Sequence, residues 1–257
     1  MPPITLSDLP WHVLAVIPLI VLAGYTVFGA TGFGSSIVSV PLLAHFFPLV
    51  FVVPLITAVD AFAAASVSVR QRDHVAWPEF LRLLPAMLIG MTAGTTLMIN
   101  LPHAPALLAL GTFATLYGLY VLVGTRAMKR APAWLAWPVG CVGGVFSALF
   151  GTGGPIYMMF LSARLQDKTA LRATSAAVVA TSVWIRLVLF AVAGLLLQSP
   201  LLILAACLLP IMVIGLTLGH RLHDRLTGAG VMRLIAALLV VNGASLVYRT
   251  LSNWTSE

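Results

Sequence analysis

The amino-acid sequence predicts an all-α integral membrane protein, because its composition, its long apolar segments and the charges of its loops all indicate that fold class. Of its 257 residues, 60% are hydrophobic and 8% are charged, and the mean hydropathy is +1.05. A soluble domain carries about 25% charged residues, with which it covers its surface. This chain has too few charges to cover a globule, so its apolar surface is expected to face lipid.

Apolar segments along the chain predict six membrane-spanning helices. Crossing the hydrocarbon core of a bilayer takes about 20 helical residues. The segments that reach this length are 50–69, 80–99, 104–124, 171–196, 201–219 and 231–248. Two further segments, 11–47 and 134–163, are interrupted by glycine-rich runs at residues 29–34 and 151–155.

The loop charges predict the orientation of these segments. Lysine and arginine residues cluster in four places and are absent from the connections at 45–48, 100–105 and 198–200. By the positive-inside rule the four basic regions are cytoplasmic. The formal net charge of +7 therefore reflects orientation, and we expect no nucleic-acid partner. The clustered residues are Arg70, Arg72 and Arg82; Arg126, Lys129 and Arg130; Arg164, Lys168 and Arg172; Arg221, Arg225 and Arg233.

This orientation constrains the two interrupted segments. The second is flanked by basic residues on both sides and, with about 30 residues, is too short for two crossings of the bilayer. A re-entrant hairpin of two half-helices fits both conditions. The first segment is expected to enter and leave on the outer side, with an external N-terminus. Its arms are longer, so a pair of short full spans remains an alternative there.

The sequence also predicts one membrane domain, 1–257, formed by two repeats, 1–126 and 127–257. Residues 28–32 resemble residues 150–154, and residues 84–90 resemble 209–215. Three spans separate the interrupted segments, so the second repeat is expected to be inverted relative to the first. Matched glycine-interrupted segments in opposed halves are typical of transporter binding sites.

The two glycine-rich turns are candidate substrate-binding sites. Glycine allows the positive φ that such turns need, and the half-helices that follow, 35–47 and 155–163, would present their N-termini near the membrane midplane. A helix N-terminus has free N–H donors and suits an oxyanion such as sulfite, sulfate or a sulfonate. The alternative is that the glycines only let helices pack closely. The candidates are Gly29, Thr31, Gly32, Phe33, Gly34, Ser35, Ser36, Gly151, Thr152, Gly153, Gly154 and Pro155.

Two charged residues, Asp60 and Arg186, lie deep within predicted spans. Charges at this depth are costly, and they mark either a function or a buried pair. In the functional interpretation, Arg186 attracts the anion and Asp60 takes part in proton coupling. In the structural alternative, the two residues pair with each other. The histidines lack the spacing of metal ligands, and we expect neither a metal nor a cofactor.

Several of these segments resemble the TauE/SafE family of sulfite and organosulfonate transporters. The resemblance lies in residues 32–42 (Gly-Phe-Gly-Ser-Ser-Ile-Val-Ser-Val-Pro-Leu), 151–157, 72–77 and 173–175, and it spans nearly the whole chain. Phe33 and Pro155 depart from the family pattern. The resemblance implies a bacterial inner-membrane, multi-pass transporter of sulfite, a sulfonate or a related small anion.

We therefore expect a secondary transporter that moves a small anion by alternating access around a midplane site. A passive anion channel of the same architecture is the alternative. An enzyme is not expected, because the sequence has no HExxH motif, no paired catalytic carboxylates and no Ser/His constellation. The expected partners are the anion, coupled protons and the lipid bilayer, and the sequence is compatible with a homodimer.

Overall fold

The computed structural model describes residues 11–32, 34–67, 74–123, 131–223 and 228–254. Within these ranges the chain forms ten α-helices, and a 3₁₀ turn, Ala133–Leu135, lies directly before α6. The helices are α1 (Trp11–Thr31), α2 (Ser35–Leu43), α3 (Leu49–Val67), α4 (Trp77–Asn100), α5 (His103–Val123), α6 (Ala136–Phe150), α7 (Gly153–Arg164), α8 (Lys168–Val192), α9 (Ser199–His223) and α10 (Gly228–Trp254).

Helix length and composition confirm an all-α, multi-pass membrane protein. Five helical stretches in the described residues are long and apolar enough to cross a bilayer, and four of them belong to α4, α5, α8 and α9, where the sequence predicts spans. The fifth, Ala133–Phe150, covers α6 and the 3₁₀ turn before it. This long arm corrects the expectation of a half-helix there. The other two predicted spans, α3 and α10, contain shorter apolar stretches, Leu49–Ala65 and Ala236–Ser252.

The first interrupted segment is a hairpin with one long arm and one short arm. Helix α1 has 21 residues and α2 has nine, so α2 extends only about 14 Å along its axis. That length excludes the alternative of two full spans. The turn between the arms contains Gly32 and Gly34, with φ of +81° and +108°, a conformation that glycine adopts at little cost. The predicted half-helix 35–47 ends earlier, at Leu43.

The second interrupted segment begins and ends at the same end of the molecule, as its flanking charges predicted. The N–H of Ala131 donates to the carbonyl of Ala163 at 3.4 Å, and Arg164 Nη1 donates to the carbonyl of Ala131 at 3.1 Å. Gly151, with φ of +72°, ends α6. Helix α7 then returns over 12 residues, or about 18 Å.

Three pairs of helices pack most extensively: α4 with α6, α1 with α9, and α5 with α10. Small residues let these backbones approach closely, as in other membrane proteins. A Cβ on Gly94 would lie 2.8 Å from the carbonyl oxygen of Val145 on α6, and a Cβ on Gly29 would lie 2.5 Å from that of Leu216 on α9. Gly29 therefore lies inside α1 at a helix contact, which corrects its assignment to the turn.

Helix α3 lies at the centre of the fold, where it packs against α8 and α9. Residues 51–60 of α3 are all buried, which is expected of a helix enclosed by others.

At the basic end of the molecule, defined here by Arg164, Lys168 and Arg172, Glu79 of α4 binds two arginines. Glu79 Oε1 accepts hydrogen bonds from Arg164 at 2.7 Å and from Arg82 at 2.8 Å.

Candidate functional site

A cavity of about 1050 Å³ extends from the basic end into the protein. Its mouth is lined by Lys168 and Arg172 of α8 and by His220 of α9. Its inner part is lined by Asp60 of α3 and Gly154 of α7. The cavity therefore leads from basic, exposed side chains to a buried carboxylate next to the start of α7.

Asp60 lies at the inner part of this cavity and is 4% exposed. Its Oδ1 accepts hydrogen bonds from the Tyr25 hydroxyl at 2.8 Å and the Ser35 hydroxyl at 2.7 Å. Its Oδ2 accepts from the Ser36 hydroxyl at 3.0 Å and from Arg186 Nη2 at 3.3 Å. These four donors compensate the carboxylate for the water that it loses on burial.

Arg186 of α8 is 2% exposed and forms an ion pair with Asp60. Its Nη1 also donates to the carbonyl oxygen of Ser147 on α6 at 2.9 Å, so the guanidinium links α8 to both α3 and α6. Its Nε has no hydrogen-bond partner among the described residues. The sequence left open whether Asp60 and Arg186 pair with each other, and in the structure they do.

The turns of the two hairpins meet at this ion pair. A Cβ on Gly151 would lie 2.6 Å from the Ser36 hydroxyl oxygen and 2.9 Å from Arg186 Nη1. Gly151 thus satisfies two requirements, a positive φ and an approach that leaves no room for a side chain. Ser36 of the first turn, Gly151 of the second and Arg186 form one contact at the centre of the molecule.

A second, much smaller pocket lies next to this contact. Its volume is about 20 Å³, enough for one water molecule. Its lining includes Arg186 and Ser182 of α8 and Gly151, Gly154 and Pro155 of the second turn. Asp60 and Gly154 line both this pocket and the large cavity.

The N-termini of the two short helices differ in what occupies them. At α2, the hydroxyls of Ser35 and Ser36 both donate to the Asp60 carboxylate. At α7, Thr152 makes no capping hydrogen bond, and its buried hydroxyl has no partner among the described residues. The first turn of α7, which begins Gly153-Gly154-Pro155, thus has no side chain to satisfy its free N–H donors.

The predicted site residues separate into four groups by position. Gly34, Ser35, Ser36, Gly151, Gly154, Pro155 and Arg186 line the small pocket with Asp60. Gly29, Thr31 and Gly32 line the large cavity. Thr152 is buried at the start of α7, while Gly153 packs against Gly143 and Ser147 of α6. Phe33 lies outside the described residues.

Two residues at this centre were not among the sequence candidates, and each gave a signal in the sequence. Tyr25 binds Asp60, and a phenol within an apolar helix generally needs a hydrogen-bond partner. Ser182 lines the small pocket and lies one turn before Arg186 on the same face of α8, where residues four apart are neighbours. Among the described residues, no group of three or more His, Cys, Asp or Glu side chains could hold a metal ion.

Comparisons with known proteins agree with this architecture. Residues 16–246 match the protein family described as sulfite exporter TauE/SafE. A probable inner membrane transporter protein, TsaS of Comamonas testosteroni, is 30% identical over 174 residues, which cover 67% of this chain and 73% of that protein. No solved structure matches the chain.

Proposed function

The chain belongs to the sulfite exporter TauE/SafE family and is a multi-pass inner-membrane protein, and from this premise we propose that it is a secondary transporter of a small sulfur oxyanion. The observation that carries the proposal is the cavity that runs from the basic end to the Asp60–Arg186 pair. An anion that enters there passes basic side chains at the mouth and reaches, at the centre, the Asp60 carboxylate that is paired with the buried Arg186. Buried ionisable residues in membrane proteins are typical of substrate or proton pathways.

The lining of the cavity favours an organosulfonate over bare sulfite as the substrate. Aromatic and thioether side chains surround the path to Asp60, including Phe28, Trp77, Phe80 and Met158. Binding sites for organic ligands are mostly apolar with a few polar groups that fix orientation. The cavity has room for an apolar body behind an anionic head group directed at the centre.

Two inverted repeats, 1–126 and 127–257, are part of the proposal. The helix contacts support this arrangement. When each helix of α1–α5 is exchanged with its counterpart in α6–α10, the α4–α6 contact becomes the α9–α1 contact and the α5–α10 contact is unchanged. Contacts of individual residues follow the same exchange. Gly94 meets Ala148 where Gly219 meets Thr26, and Gly118 meets Ala236 where Gly243 meets Gly111.

Alternating access follows from the position of the contact between the turns. The large cavity reaches Asp60 from the basic end, while Ser36, Gly151 and Arg186 close together beyond it. Transport requires this contact to open toward the other end after the anion binds. Such rocking of one repeat against the other around a fixed site is typical of transporters with inverted repeats.

A passive anion channel of the same fold is the second candidate, because a basic mouth and a central arginine also suit a selective pore. The family and the name of the TsaS relative point to a transporter rather than an enzyme.

Counterflow in proteoliposomes tests the proposal and separates a carrier from a channel. Vesicles are loaded with unlabelled anion, diluted into a trace of labelled anion, and held at zero membrane potential with potassium and valinomycin. The panel is sulfite, sulfate, thiosulfate, methanesulfonate and benzenesulfonate. A carrier gives a transient accumulation of label that a channel does not give at zero potential. If no anion on the panel moves, the proposal is wrong.

Arg186→Lys tests whether the transported anion uses this site. Lysine keeps the charge, but it cannot reach Ser147 and Asp60 at once as the planar guanidinium does. We expect the initial rate of counterflow to fall at least about tenfold. Arg249→Lys is the matched control, because Arg249 also donates to a backbone carbonyl, that of His45, but far from the site. Equal rates in the two variants would remove Arg186 from the site.

A further inference from the structure

Among the described residues, an acidic side chain is bound at the N-terminus of the helix after the first turn, and none is bound at that of the helix after the second. This difference indicates that the two turns have different roles. Resting on the proposed function, we infer that Asp60 is a built-in substitute for the transported anion. In the empty protein its carboxylate holds Arg186 and the N-terminus of α2, and the anion binds at the N-terminus of α7 only after Asp60 takes up a proton.

The first step of the argument is that the N-terminus of α2 is already filled. Ser35 and Ser36 form its first turn, and both hydroxyls donate to Asp60, at 2.7 and 3.0 Å. A negative charge at a helix N-terminus is stabilised by the free N–H groups and the helix dipole. Asp60 therefore occupies the place that an anionic ligand would take at this turn.

The second step is that the N-terminus of α7 is not filled. No side chain caps it, and the Thr152 hydroxyl is buried without a partner among the described residues. An independent observation points to a ligand here. Arg186 lines the small pocket next to this turn, and its buried Nε has no hydrogen-bond partner in the part of the chain that the structure describes. Gly154, in the first turn of α7, also lines the large cavity, so this turn borders that cavity.

The third step is a charge count. Asp60 and Arg186 together are neutral, so a monoanion bound next to them leaves one uncompensated negative charge in a buried site. A proton taken up by an Oδ of Asp60 converts the carboxylate to a neutral acid and frees Arg186 to balance the anion. Buried charges are tolerated when they are paired, so the site favours one proton together with one monoanion, such as a sulfonate.

The groups that contact Asp60 define the surroundings in which this proton step takes place. Of the described residues, Arg186 on α8 and Tyr25 on α1 contact the carboxylate, while α2 contributes only serine hydroxyls. Tyr157 of α7 interacts electrostatically with Arg186. Lys168, Arg172 and His220 line the mouth of the same cavity, which gives a proton a route from the basic end to Asp60.

Binding of methanesulfonate to the purified protein in detergent tests the inference, because a sulfonate stays ionised at every pH used. Titration calorimetry gives Kd at several pH values between about 5 and 9, the range over which buried carboxyl groups of proteins can change protonation state. In the wild type we expect the affinity to fall about tenfold per pH unit once Asp60 loses its proton, because the apparent affinity scales with the competent fraction. D60N is always neutral, so its affinity should not depend on pH and should exceed the wild-type affinity at least about tenfold at the alkaline end.

Asp167→Asn is the matched control, because Asp167 is an exposed acidic residue at the start of α8, and it should behave as the wild type. If D60N binds no more tightly than the wild type at alkaline pH, or keeps the pH dependence, the inference is wrong. A wild type that passes the counterflow test but binds methanesulfonate equally at every pH overturns this inference alone. Absence of counterflow for every anion overturns the proposed function itself.

Two further variants assign the turns separately and replace D60N if it does not fold. Ser35→Ala removes a donor to the carboxylate, so protonation becomes easier and the midpoint of the pH dependence moves to higher pH. Thr152→Val removes a hydroxyl at the start of α7, so the limiting affinity at acid pH falls severalfold while the midpoint stays. An unchanged midpoint in Ser35→Ala, or an unchanged limiting affinity in Thr152→Val, contradicts the division of roles.

Discussion

At the scale of single residues, the Asp60–Arg186 pair explains how two charges persist in the core of a membrane protein. Each side chain is almost fully buried, and each is bound by further groups, the hydroxyls on Asp60 and the Ser147 carbonyl on Arg186. Removing one partner of a buried pair costs about 3–5 kcal/mol, because the other charge is left uncompensated. Replacing either residue alone should therefore destabilise the protein.

Gly151 provides the sharpest single-residue prediction. Gly151→Ala places a methyl group against Ser36 and Arg186. The initial rate of counterflow should fall at least about tenfold, because even a small displacement of a binding side chain costs this much. Gly194→Ala is the matched control, because Gly194 has nearly the same φ, +73°, but nothing lies near its Cβ position.

Both variants carry the same left-handed backbone strain, about 1–2 kcal/mol, and Gly151→Ala adds a clash with Ser36 and Arg186, so it should lose more thermal stability than Gly194→Ala. Only Gly151→Ala should lose transport. If the two variants transport equally, the contact between the turns has no role in the cycle.

The sequence alone identified Asp60, Arg186, Ser35 and Ser36 as candidate site residues, because charged and hydroxyl side chains are unusual in apolar segments. It did not settle whether Asp60 and Arg186 pair, because they are far apart in the chain and only the packing of α3 against α8 brings them together. It also placed Gly29 in the turn. A local pattern does not distinguish a glycine that bends the backbone from one that, like Gly29, admits a neighbouring helix.

At the scale of elements, each hairpin combines a long arm with a short one. The sequence located both breaks within a few residues, since Gly32 and Gly151 have the positive φ that the glycine-rich runs predicted. It did not predict the unequal arms. Helix α6 begins directly after a 3₁₀ turn at Ala133–Leu135, and apolar composition alone does not show where within a membrane segment a helix starts.

Asp167 at the start of α8 gives an element-level prediction. Its carboxylate accepts hydrogen bonds from the N–H groups of Ala170 and Thr169, which lower the pKa of Asp167. This is a helix N-cap, so Asp167→Ala should lower the melting temperature measured by tryptophan fluorescence in detergent.

The pH dependence of this cap follows from the direction of that shift. Because the folded pKa lies below the unfolded one, the cap contributes fully above the ordinary carboxyl pKa of about 4 and is lost as the pH falls further. Asp167→Asn keeps an acceptor that does not titrate, so its melting temperature should change less in acid than that of the wild type. Identical acid sensitivity in the two proteins would contradict the cap.

At the scale of the whole molecule, the structure has its large cavity open at the basic end, which the positive-inside rule places in the cytoplasm. Ala176 of α8 lines this cavity. In a background without Cys141 and Cys207, Ala176→Cys should react with a membrane-impermeant thiol reagent in inside-out vesicles and not in right-side-out ones. Substrate anions should slow the reaction.

Leu197→Cys is the control for orientation, because this exposed residue lies between α8 and α9 at the opposite end and should react only in right-side-out vesicles. Labelling of Ala176→Cys from the outer side alone would reverse the assigned orientation of the cavity.

Proton-driven accumulation tests most directly the central claim, that an anion and a proton share the site at Asp60 and Arg186. Proteoliposomes buffered about two pH units above the medium, at zero membrane potential, are given labelled methanesulfonate. With one proton per anion the label should rise above its external concentration, with a limit of about 100-fold, because each pH unit is a tenfold proton ratio; the D60N protein should only equilibrate. Equilibration without accumulation in the wild type would contradict the account, because it would show that the anion moves without a coupled proton.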